Sequence, residues 1–347
     1  MRASHRSWLL RTPWPLLVGV LLPVWLLIQR QVFRGLRLGV LDRGVMELWV
    51  HGRQPGWLDW VPFIHPPGYS VFMNTVDTLA GGSAGRAAEL IFGIGAVCSV
   101  GTALLAAAVG HRRFGPMAGL ALGGLLLFSP QVLRPFEHYP LARLLLFAAF
   151  VVVTAARTSV GARVAACFAA VEVHLSSWFL LGPLLFFDSL FGEDRKRDRT
   201  VLGGLLAAFL VTTAFGLLDV LEFGGGEKEG VGEATLEWAN PLLLALLLPV
   251  AAVGDRWRRA AACLVYVVVM LALQALQIAD GAPFPWSLHY FELVGPPAAL
   301  VVVGALLERR TMLGKVALGV LVLSQLALFV RGLLVLFVQP RWLLMAG

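Results

Sequence analysis

Residues 163–190 read RVAACFAAVEVHLSSWFLLGPLLFFDSL, and whether this run is one element or two decides on which side of the molecule everything else lies. Between Arg163 and Asp188 the run is apolar except near its middle, where Glu172, His174, Ser176 and Ser177 fall close together. Read as one span, it is a 28-residue helix with Gly182-Pro183 near its end. Read as two, it is a hairpin of short helices turning near His174 to Ser177. Each arm then has only about 12–15 residues, below the usual minimum of roughly 17 for crossing hydrocarbon unless buried among neighbours.

Charge arbitrates between the two. Apolar runs fall at 13–33, 86–110, 115–133, 138–156, 163–190, 200–222, 239–254, 259–279, 291–307 and 315–337, with a weaker run at 66–82 that contains Asn74 and Asp77. Lys and Arg cluster at His111-Arg112-Arg113, Glu193 to Arg199, Asp255 to Arg259, and Glu308 to Lys315. Loops rich in Lys and Arg stay in the cytoplasm. If 66–82 crosses and 163–190 crosses once, Arg112 and Arg113 land outside. If 66–82 stays in the first external loop and 163–190 is a hairpin, every cluster is inside. We favour the hairpin; the single long span is the competing reading. The expected fold is all-α, a polytopic membrane protein of about eleven transmembrane helices with a long first external loop carrying an amphipathic helix.

Composition excludes the other broad classes. Of 347 residues, 58% are hydrophobic and only 14% charged, with mean hydropathy +0.79, against roughly 25% charged in ordinary soluble domains. Soluble α/β enzymes, disordered chains and disulfide scaffolds do not look like this. The net charge of +7 reports cytoplasmic loops, so no nucleic-acid partner is expected. Almost all basic residues are Arg, which suggests a GC-rich bacterial genome. Cys98, Cys167 and Cys263 lie inside apolar runs without paired spacing and read as small hydrophobes. A basic stretch to Arg11 and an apolar one from Pro13 to Ile28 resemble a signal peptide. No small-residue cleavage site follows, so a retained first span with a cytoplasmic N-terminus is expected.

On this threading five of the seven histidines, His51, His65, His138, His174 and His289, share the external face. The first external loop, Gln29–Tyr69, carries Asp42 and an amphipathic segment between Gly39 and His51 that would lie flat at the membrane surface. It closes on His65-Pro66-Pro67-Gly68-Tyr69, a rigid corner re-entering the membrane. The second stretch gathers Arg134, Glu137, His138 and Tyr139 between two spans, a density that is costly to desolvate unless the groups pair or bind something polar. Glu172 and His174 face the same side if 163–190 is a hairpin. His289, Tyr290 and Glu292 stand at the start of a later span. The stretch 222–237 is Gly-rich and acidic and reads as a solvated loop.

The order of these pieces resembles the GT-C superfamily of integral-membrane glycosyltransferases, which includes the protein mannosyltransferases and the lipid A aminoarabinose transferase. The resemblance rests on one span, an acid soon after it, a long loop closed by HPPGY, then FSP, Arg134, Glu137 and YPL two spans later, and HYFELVGPP from His289. It implies transfer of a sugar from a polyprenyl-phosphate donor to a lipid, glycan or protein acceptor, on the exterior face of a bacterial inner membrane. It implies a transmembrane catalytic module over 1–222 and a four-helix transmembrane region over 223–347. Asp42 would be the general base and Glu137 the second acid. His65, Tyr69, Arg134, His138, His174, His289 and Tyr290 would contact substrate. A divalent metal, Mg or Mn, bridging the two acids and the phosphate occurs in some relatives, though no ligand spacing here demands one. Two features depart from the pattern: Asp42 is followed by Arg43 rather than a second acid, and Glu137 stands alone. A non-enzymatic accessory subunit and a small-molecule or lipid transporter are the competing functions. A transporter would be expected to place charged or helix-breaking residues at the midplane of several spans.

Overall fold

A computed structural model describes residues 67–81, 83–128, 139–212, 247–252, 254–279, 291–308 and 312–338. All of their regular structure is helical. The order is α1 (Pro67–Ala80), α2 (Ala84–Phe114), α3 (Pro116–Leu127), α4 (Tyr139–Val153), α5 (Val160–Val173), a 3-10 turn (Leu175–Ser177), α6 (Trp178–Phe191) and α7 (Arg195–Thr212). There follow a 3-10 turn (Gly254–Arg256), α8 (Trp257–Ala279), α9 (Phe291–Glu308) and α10 (Met312–Val338). A helix satisfies every backbone group within its own segment, which suits long runs of Ala, Leu and Val. The step from α2 to α3 turns on Gly115, whose φ of 96° is open mainly to glycine. Pro116 then opens α3 at the first helical position, where its missing N–H is not needed.

The run at 163–190 is a hairpin. Its arms are α5 and α6, of 14 residues each. Arg163, in the first turn of α5, forms a 2.9 Å ion pair with Asp198 in the first turn of α7. Helix α7 starts just beyond the end of α6, so the start of α5 and the end of α6 lie together. A continuous helix would have held them about 40 Å apart. The arms pack less on each other than on their neighbours: α7 lies against both, α4 against α5, and α8 against α6. Each arm is about 21 Å long, shorter than the roughly 30 Å hydrocarbon layer. Whether or not the turn reaches the far surface, both arms return to the same side.

Helix α1 stays on the side of that turn. Its N-terminal Gly68 lies against the backbone of Glu172 at the end of α5. Its C-terminal end leads through Gly81 to the start of α2, away from Arg112 and Arg113 at the other end of α2. The weak run at 66–82 is therefore a helix that does not reach the basic end.

At the basic end three of the Lys/Arg clusters meet, joined by Glu308 at the head of the fourth. Arg113 on α2 donates to Thr154 at the end of α4. The Arg256 guanidinium lies 5.4 Å from the centre of the Phe114 ring and pairs with Glu308 at the end of α9. Arg258 pairs with Asp188 at 2.7 Å and caps α6 by donating to the Phe191 carbonyl, also at 2.7 Å. Arg197 reaches the Ala156 carbonyl beyond α4. Arg195 to Arg199 open α7. Asp198 makes this local, because a carboxylate in a first turn offsets the helix dipole.

Two described helical stretches, Glu89–Phe114 and Met312–Arg331, are long and apolar enough to cross a membrane, and three shorter helices are apolar. On α10 one stripe is outward and wholly apolar: Met312, Val316, Val320, Leu323 and Val330, with Leu323 65% exposed. The stripe runs about 27 Å along the axis. Water would penalise such a face, whereas lipid accepts it. The remainder of the expected eleven spans goes beyond these observations, and the first span and the amphipathic first loop lie outside the described residues. A single core draws on α2 to α10, on both sides of residue 222. Cys98, Cys167 and Cys263 are buried in apolar helices, as small hydrophobes should be. Their burial leaves a clean background for topology mapping. A membrane-impermeant maleimide on intact cells is expected to label Ser83→Cys, between α1 and α2, but Arg157→Cys only after permeabilisation. The reverse pattern would place the basic end outside.

Candidate functional site

The turn of the hairpin is the polar centre of the described bundle. At His174 the chain leaves the helix (φ −152°, ψ 118°), which would strand backbone groups in an apolar interior. Side chains meet that need. The Ser176 N–H donates to His174 Nδ1 at 3.2 Å, and Ser177 Oγ donates to the Ala170 carbonyl at 3.0 Å. Ser176 Oγ is 2.6 Å from the same Nδ1, and Tyr266 Oη on α8 donates to Ser176 Oγ at 3.2 Å. All four side chains are buried.

This network settles the imidazole tautomer by elimination. A backbone N–H can only donate, so Nδ1 must present its lone pair, and the proton sits on Nε2. Ser176 then donates to Nδ1 and accepts from Tyr266. A second proton on the ring would break both bonds at Nδ1. His174 is thus held as a neutral donor through Nε2.

Glu172 is buried two residues before the break, and the corner at Gly68 rests on it. A Cβ on Gly68 would lie 2.5 Å from the Glu172 carbonyl oxygen, a backbone atom that cannot swing aside. Gly68→Ala is therefore expected to lower stability by about 1–3 kcal/mol through overpacking. Denaturant titration with a thiol-reactive dye, reading the buried cysteines, would check it. An unchanged midpoint would mean the corner is not docked on the turn.

A second buried polar group lies on α4. Arg143 is 6% exposed, and its Nη2 donates to Ser99 Oγ on α2 at 2.9 Å. Glu292, in the first turn of α9, attracts it electrostatically.

Of the expected site residues, Asp42, His65, Arg134, Glu137, His138, His289 and Tyr290 lie outside the described residues. Tyr69 is placed by its backbone in the first turn of α1, and His174 is described fully. The structure thus brings together the start of α1, Glu172 and His174. It also adds residues that the sequence reading passed over. Arg143 had a legible signal, an arginine inside the apolar run YPLARLLLF, because an ionisable side chain in a span is a functional candidate by default. Ser176 and Tyr266 had only a weak one: a buried phenol needs a partner, but nothing local says which. Among the described residues no group of three or more His, Cys, Asp or Glu side chains is placed to hold a metal ion.

In architecture this is an all-helical bundle with apolar outward surface and a buried polar turn. Compared with known proteins, the chain matches no family model, and no curated protein or solved structure matches it.

Proposed function

We propose that the chain is a membrane glycosyltransferase that moves a sugar from a polyprenyl-phosphate donor to a lipid, glycan or protein acceptor. It works on the periplasmic face of a bacterial inner membrane, with its N-terminus and basic end in the cytoplasm. The observation that supports this reading best is the division of the bundle into two ends. The arginine clusters are tied together at one, while the corner at Gly68 rests on the buried Glu172–His174 turn away from them. Positive-inside orientation then turns the polar turn toward the exterior, where the resemblance to GT-C enzymes puts the chemistry.

Such a transfer needs a base for the acceptor hydroxyl and donors for the leaving phosphate. Asp42 takes the proton, and Glu137 positions the acceptor. Arg134, His138, His289 and His65 hold the phosphate, for which Arg is suited by its forked donors. His174, a neutral Nε2–H donor, contributes a hydrogen bond without charge, and Tyr69 and Tyr290 bind the sugar or headgroup.

The test is turnover by the purified protein in lipid nanodiscs, given a panel of polyprenyl-phosphate sugars. Transfer or release of at least one sugar is the expected result. A protein that neither turns over nor binds any polyprenyl phosphate would be an accessory subunit instead.

A further inference from the structure

A guanidinium carries five N–H donors and cannot lose its charge in a protein. Arg143 is nearly wholly buried, yet among the described residues its one hydrogen bond is the Nη2 contact to Ser99, and its Nε has no acceptor. Among the described residues no carboxylate forms an ion pair with it; Glu292 acts only from further off. Arg163 shows what a compensated arginine looks like in this bundle. Its Nε, Nη1 and Nη2 bond Thr158, Asp198 and the Ala155 carbonyl. Burying a charge with its donors unmet is strongly unfavourable unless a partner supplies the missing acceptors.

The backbone around Arg143 also favours an anion. Helices α4 and α9 pack together. Both end at the basic end, α4 where Thr154 meets Arg113 and α9 where Glu308 pairs with Arg256 over Phe114. They are therefore parallel, and their N-termini lie side by side, with Arg143 in the second turn of α4 and Glu292 in the first of α9. Two helix N-termini add partial positive charge and outward N–H groups at that place.

We propose that Arg143, between the N-termini of α4 and α9, is an anion-binding site that takes a phosphate group. Phosphate suits the unmet Nε–H, because its oxygens accept the parallel bonds that a guanidinium fork offers. The group can arrive as free phosphate or as the head of a lipid, and both present the same oxygens. His138 and His289-Tyr290 directly precede α4 and α9 in sequence, so in its lipid form the site rests on and deepens the transferase reading.

The experiment uses the full chain in phosphatidylcholine nanodiscs with two probes, dodecyl phosphate and inorganic phosphate, and dodecyl maltoside as the uncharged control. Dodecyl phosphate is expected to bind the wild type and raise its unfolding midpoint, and Arg143→Gln to weaken that binding by at least about tenfold. Without probe, Arg143→Gln is expected to be no less stable than wild type, since it removes a buried charge whose Nε–H is unmet and keeps a donor for Ser99. Displacement of dodecyl phosphate by inorganic phosphate would assign the site to free phosphate. Binding that inorganic phosphate cannot displace would assign it to a lipid headgroup. A wild type that ignores both probes overturns the proposal without any variant, as does equal binding by Arg143→Gln. Should Arg143→Gln not fold, Arg143→Lys keeps the charge and loses the fork, and binding as strong as wild type would overturn the phosphate geometry. Binding of dodecyl phosphate by a protein that transfers no sugar would retain this site and remove the transferase reading.

Discussion

Arg163→Met is expected to destabilise the bundle by about 3–5 kcal/mol, the range for removing one partner of a buried ion pair. Arg163 and Asp198 have side chains only 2% and 4% exposed. The arginine is satisfied on three sides, by Asp198 at 2.9 Å, Thr158 Oγ1 at 2.9 Å and the Ala155 carbonyl at 2.6 Å. Methionine fills the volume of the stem but leaves the Asp198 carboxylate with only a long contact to Arg197 Nε at 3.4 Å. The pair also clamps the first turn of one hairpin arm to the helix that follows the other. Cys167 lies one turn beyond Arg163, fully buried, so its reaction with a thiol dye in denaturant reports this clamp directly. Early exposure of Cys167 in Arg163→Met is the expected result. In the double variant Arg163→Met/Asp198→Leu most of the loss should return, because apolar groups of similar volume replace such pairs at little cost. A single variant that unfolds like wild type would show that the pair does not hold the hairpin.

Asp42→Asn is expected to lower sugar transfer by about two orders of magnitude or more, with the protein still folded. The amide keeps the shape of the carboxylate but cannot accept the proton of the acceptor hydroxyl. If Asp42 is the base, the loss falls in kcat and in kcat/KM together, since the interaction is made as the proton moves. A rise in KM alone would make Asp42 a binding residue. Equal turnover in both proteins would retain the enzyme and move the base elsewhere, with Glu137→Gln the next comparison. Purification with the same unfolding midpoint as wild type is the control that separates chemistry from folding.

Much of the fold was legible because two of its determinants are properties of the chain taken in order. Apolar runs at 86–110, 259–279, 291–307 and 315–337 became α2, α8, α9 and α10 with ends shifted by a few residues, since solvent alone dictates where a helix must be apolar. The hairpin at 163–190 was legible for a different reason. Neither its length nor its hydropathy distinguished one helix from two, but the requirement that Arg112 and Arg113 share a side with the other clusters did. The polar letters at 172–177 then said where the turn must be, because an open backbone in an apolar interior needs side-chain partners close in sequence, and His174, Ser176 and Ser177 supply them.

The sequence by itself thus determined the helical class, the sidedness of the arginines and the position of the turn, each governed by solvent or by neighbours a few residues away. Only the tertiary structure decided which polar groups meet. Arg163 finds Asp198 across 35 residues, Arg143 finds Ser99 across 44, and Tyr266 finds Ser176 across 90. Those pairings depend on which helices pack side by side and at what height. Hydropathy and charge order specify the side on which a residue lies but not its neighbour, so the fully bonded Arg163 and Arg143 with its orphaned Nε look alike until the bundle is assembled.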